Sequence, residues 1–136
     1  MSDTGNGVVL ALGTSNWTLN VVSIAVGGQT LEMLDDSDLA TTGYMEKLAA
    51  DLTDAGSFSA VCRLNQSGDV PVPVTTAETA TITFGLLSGE MTAATLSGTG
   101  NVTGGGDINI ANNEIMNTTL TFTWDGRTGP TFTAGA

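Results

Sequence analysis

"SDLATTGYMEKLAADLTDAGSF", Ser37 to Phe58, is the stretch on which the fold turns, because here apolar residues recur at a helical interval. Tyr44, Leu48 and Leu52 fall at i, i+4 and i+8 with Met45 and Ala49 alongside, while Glu46, Lys47 and Asp51 fall off that stripe. Thr41 or Thr42 offers an N-cap, and Asp35, Asp36 and Asp38 place negative charge where a helix dipole favours it. Gly56 can end the segment. The reading is an amphipathic helix of roughly three turns, with the stripe Tyr44, Leu48 and Leu52 packed on an apolar surface.

On both sides of this segment the chain reads as strands. "VVLAL" (Val8 to Leu12) and "WTLNVVSIAV" (Trp17 to Val26) are expected to pair as a hairpin across "GTSN". Gly27, Gly28 and Gln29 form a pliable loop before "TLEML" (Thr30 to Leu34), a short third strand that runs into "DDSD". In "SFSAVCRL", Phe58, Ala60, Cys62 and Leu64 alternate with Ser57, Ser59, Val61 and Arg63, the period of a half-buried strand. "TATITF" (Thr79 to Phe84) alternates in the same way. "AATLSGTGNVTG" (Ala93 to Gly104) is broken by glycines, as in a bent or bulged strand. The clearest alternation comes last: Met116, Thr118, Leu120, Phe122 and Trp124 face one way, and Asp125–Gly126 turns the chain toward a short "TFTA". "GDVPVPV" (Gly68 to Val74) holds two prolines and reads as an extended connection or edge.

The 136 residues fit one domain, 1–136, with a flexible N-terminal arm at Met1 to Gly7. Only 5% of residues are aromatic and 18 are Gly, which favours many short strands and turns. The expected architecture is mainly β: a β-sandwich or partly open β-barrel of about eight strands with one flanking α-helix. Fourteen acids against three bases give a net charge of −11, which repels nucleic acid and anionic membranes. "MSDTGNG" has neither the basic start nor the apolar run of a signal peptide, and no segment approaches transmembrane length, so a soluble, intracellularly made product without a membrane partner is expected.

No chemistry-bearing constellation emerges. The chain lacks His, and with it the commonest general base and metal ligand. Cys62, the single cysteine, reads as a small buried side chain. "DDSD" lacks the Gly and terminal Glu of a calcium loop, and "GTGNVTGGG" (Gly98 to Gly106) lacks the Lys and the following helix of a phosphate loop. No catalytic, cofactor-binding or metal-binding residues are assigned; the chain is not expected to be an enzyme or to hold a cofactor. The sequons at Asn16, Asn65, Asn101 and Asn117 read as chance matches in a Thr-rich chain.

The order of elements carries a resemblance. A strand pair, a glycine loop, "LEMLDDSDL", "GYMEKLAADL", "TDAGSFSAVCRLN" and strands closing on "MNTTLTFTWDGRTGPTFTAG" resemble the tail tube (major tail) proteins of long-tailed bacteriophages, over roughly Ala11 to Gly135. The resemblance implies a β-sandwich with a flanking helix near the subunit boundary. It implies a structural virion protein, made in the host cytoplasm, that assembles as stacked, hexameric rings around a lumen conducting DNA. Partners would be further copies, the terminator, tape measure and baseplate components, and DNA passing through without specific binding. Asp69, Glu78, Glu90, Asp107 and Glu114 are then candidate lumen acids. Gly27, Gly28 and Gln29 become a candidate inter-ring loop, together with the Met1 to Gly7 arm and "GDVPVPV". Two other classes stay open: another virion structural β protein, such as a head decoration or head–tail adaptor subunit, and a secreted binding module.

Overall fold

In the computed structural model, which describes residues 7–13, 21–64 and 71–136, the chain is mainly β, with antiparallel sheets that do not close into a barrel. Nine strands are present among the described residues: β1 (Val9–Leu12), β2 (Val21–Val26), β3 (Thr30–Asp35), β4 (Lys47–Asp54), β5 (Ser57–Arg63), β6 (Glu78–Thr83), β7 (Thr95–Asn109), β8 (Asn117–Trp124) and β9 (Thr131–Thr133). The main sheet runs β1-β6-β7-β8-β5-β2, with β9 also on β7, while β3 and β4 form a separate two-stranded sheet.

Among the described residues there is no helix, and the segment read as one is corrected to strand β4. Positions 44, 48 and 52 are spaced by four, an interval that fits one face of a helix and equally one face of a strand, so periodicity alone could not separate the two. Pairing decides it. "TLEML" lies alongside this segment as β3, with Met33 opposite Ala49, Leu34 opposite Leu48 and Asp35 opposite Lys47. The expected core stripe is corrected with it: Tyr44, Leu48 and Leu52 are 95%, 57% and 84% exposed. The supposed cap residues close a turn instead, where Ala40 N–H donates to the Asp38 carboxylate at 2.9 Å and Asp38 N–H to the Thr41 hydroxyl at 3.0 Å.

The core lies where the alternation is cleanest. Phe58, Ala60 and Cys62 of β5 stand opposite Phe122, Leu120 and Thr118 of β8, and all six are buried. Phe58 and Phe122 stack at 5.2 Å between ring centroids, and Trp124 meets Phe122 edge-on at 5.3 Å. Such pairs add to the burial of aromatic area that dominates a small core. Gly100 of β7 stands opposite Trp124, and a Cβ there would meet the Thr123 carbonyl oxygen and lie 2.8 Å from the Phe122 ring, so the missing side chain lets β7 approach β8 and leaves room for the ring. Leu12, on the edge strand β1, joins the same cluster as Cys62 of β5, which requires the sheet to bend over on itself.

β7 makes that bend. Thr95–Ser97 pairs with β9 on one side while Thr95–Gly100 pairs with β6 on the other, and from Gly100 onward the strand pairs with β8, with register shifts on either side of Gly104. Glycines and bulges are the usual means of turning a strand from one layer to the next. The expected hairpin between the first two strands is corrected by this topology: β1 pairs with β6 and β2 with β5, at opposite ends of the sheet. Residues 14–20, which include the Trp17 end of that hairpin, lie outside the described residues.

Candidate assembly surface

β3 and β4 continue the β2–β5 ladder out of the body. Val26 stands opposite Phe58 and Gly27 N–H donates to the Ser57 carbonyl at 2.8 Å; beyond a short gap Thr30 stands opposite Asp54 and Leu31 opposite Thr53. The two residue numbers of each of these pairs keep one sum, so a single register runs through the gap. The gap itself is Gly27-Gly28-Gln29 on one strand and Ala55-Gly56 on the other. Gly56 holds φ +82°, and Asp54 accepts its N–H at 2.9 Å, the local bond by which Asp shapes a turn. Six strand residues at about 3.3 Å each carry the ribbon roughly 20 Å beyond this hinge.

The distal end is closed by its own hydrogen bonds and leaves Leu39, Tyr44 and Met45 exposed. Asp36 N–H donates to the Glu46 carbonyl at 2.9 Å, and Glu46 N–H donates to the Ser37 hydroxyl at 2.8 Å. The Ser37 backbone N–H, and then its hydroxyl, hold the Asp35 carboxyl below its usual range. Among the described residues β3 and β4 pair with each other and with no strand of the main sheet.

Apolar side chains lie on both faces of this ribbon. Met33 pairs across with Ala49 on one face and Leu34 with Leu48 on the other, since neighbouring strand residues point opposite ways. Leu31, Met33, Leu34, Leu48 and Leu52 are all exposed. A lone two-stranded ribbon is marginally stable in water, and clustered exposed apolar residues mark an interaction surface. The sequence held a signal for this surface: "TLEML" and "KLAADL" each place apolar residues at both odd and even positions.

The sequence-based candidates are scattered over the fold. Glu78 is buried at 5% exposure, which removes it from the solvent-facing acids. Glu90 is half-buried and accepts the Leu87 N–H at 3.1 Å. Asp107 and Glu114 are exposed at the end where β7 leads into β8. Asp69 lies outside the described residues, as do residues 1–6 of the N-terminal arm and 68–70 of "GDVPVPV". Gly27, Gly28 and Gln29 are exposed at the hinge of the ribbon. "GTGNVTGGG" is part of β7 and not a loop. Asn101 donates its side-chain N–H to the Val74 carbonyl at 3.2 Å. Burial raises the pKa of the Cys62 thiol.

Among the described residues no cluster of His, Cys, Asp and Glu is placed to hold a metal, and no helix is long and apolar enough to cross a membrane. A scan against protein-family models finds no match, and a search of curated proteins finds no relative.

Proposed function

We propose that the chain is a structural subunit of a phage tail tube, assembling as stacked, hexameric rings around a channel through which DNA passes. The observation that carries the assembly reading is the β3–β4 ribbon: an element with exposed apolar residues on both faces that, among the described residues, pairs with no strand of the main sheet. Such an element suits a subunit that is completed by its neighbours. The order of strands and the closing "TLTFTWDG", resembling tail tube proteins, supply the choice of assembly. The bent antiparallel sheet serves as the two-layered sandwich of that fold.

The acids then act by repulsion. DNA has to slide past the wall, so a net negative lumen holds phosphate off over about one Debye length, about 8 to 10 Å at ordinary salt. Asp107 and Glu114 are the exposed candidates for that wall. The Gly27–Gln29 hinge lets the ribbon adjust its angle to the body as it is covered in the assembly. Sedimentation velocity over a concentration series tests the reading: discrete ring-sized and larger species support it, and a single monomer boundary throughout contradicts it.

A further inference from the structure

The ribbon carries Glu32, Asp35, Asp36, Asp38, Glu46, Asp51 and Asp54 against Lys47 alone, a net charge of −6 over residues 30–54. The rest of the chain carries −5, with Arg63 and Arg127 as its only cations. Covering the apolar faces of the ribbon also takes water from the carboxylates set among them. A desolvated carboxylate is strongly unfavourable unless a cation or hydrogen-bond donor meets it. Asp35 accepts the Ser37 N–H and Asp54 the Gly56 N–H. Among the described residues Glu32 and Asp51 accept none. A second copy of the chain would bring Lys47, Arg63 and Arg127 against fourteen acids, a net −11, and like-charge juxtaposition at the acidic ribbon disfavours such a partner there.

We propose that the ribbon docks into an apolar slot, rimmed with Lys and Arg, on a different protein chain. The slot must reach both faces, because Met33 lies on one and the Leu34–Leu48 pair on the other. The proposal deepens the assembly reading and rests on it only for the premise that the ribbon is covered in the assembled state. Rings of this chain would form through other surfaces, and the ribbon would recruit a basic component to them.

The test is fluorescence anisotropy on the full-length protein at about 0.15 M salt, where the Debye length of about 8 Å removes long-range attraction. The probes are a nine-residue peptide alternating Lys with Val, its Glu–Val counterpart, and a labelled copy of the chain itself. The Lys–Val peptide should bind. Its affinity should fall at least about tenfold in Leu34→Ser/Leu48→Ser, which removes one apolar face, and in Glu32→Gln/Asp51→Asn, which removes charge. The Glu–Val peptide should not bind. Four results would overturn the proposal: no binding of the Lys–Val peptide; binding unchanged in Leu34→Ser/Leu48→Ser, which reduces it to attraction by net charge; a labelled copy that binds more tightly than the peptide and loses binding in that variant; or ribbon-dependent flotation with phosphatidylcholine vesicles. Rings seen by microscopy without peptide binding would leave the tube reading standing and remove this one alone.

Discussion

The carbonyl oxygen of Gly28 lies 2.8 Å from the point where a Cβ on Gly56 would stand, and this close crossing of two backbones is the hinge between the body and the β3–β4 ribbon. Gly56 also holds φ +82°, a conformation that costs a residue with a side chain about 1–2 kcal/mol. Gly56→Ala should therefore lower stability by at least about 1 kcal/mol in denaturant unfolding. Gly28→Ala, with nothing within 4 Å of its Cβ, should be far milder. Equal effects of the two substitutions would show that the crossing does not constrain the hinge.

The aromatic cluster sets the stability of the body. Phe122 is fully buried between Phe58 and Trp124, so Phe122→Ala should cost about 3–5 kcal/mol. Gly100→Ala should also destabilise, although Ala is ordinarily the better residue in a strand, because its methyl would run into the Thr123 carbonyl oxygen first and then the Phe122 ring. Thermal unfolding of the two variants checks both expectations.

Leu48 separates the strand from the helix first read there. As a core residue it would lose about 2–5 kcal/mol on truncation to Ala. As an exposed member of the Leu34–Leu48 cross-strand pair it should lose under about 1 kcal/mol of subunit stability. Chemical denaturation of dilute Leu48→Ala protein, compared with the unmodified chain, reads the difference directly.

Asp125 ties the β8–β9 turn to β7, accepting the Arg127 N–H at 2.9 Å and the Thr99 hydroxyl at 2.7 Å. These bonds, the Arg127 N–H first, hold its carboxyl below the ordinary value of 3.8. A carboxyl lowered in the folded state contributes stability above its unfolded pKa and loses it as pH falls through the lowered one. The Tm of Asp125→Ala should therefore lie below that of the unmodified protein at neutral pH, and the gap should close below about pH 4. A gap that stays constant to pH 2 would assign the effect to turn geometry and not to the charge.

Strands β5, β6 and β8 were legible because each is buried on one face: Phe58, Ala60 and Cys62, then Ala80 and Ile82, then Thr118 through Trp124, repeat with the period of a strand. The glycine-broken β7 was legible for the same physical reason that it bends. β4 was not, because its partner β3 is fixed by pairing across the turn, and a spacing of four is common to both periods. The position of β1 was hidden too, since it depends on β6, some seventy residues away. The ribbon was not legible as a surface because its apolar residues serve two faces and so lack the alternation of a half-buried strand.

Negative-stain electron microscopy of the purified protein, over a range of concentration and salt, tests the central claim most directly. The account predicts discs or tubes of uniform diameter with a central channel. Particles of single-subunit size under every condition would contradict it.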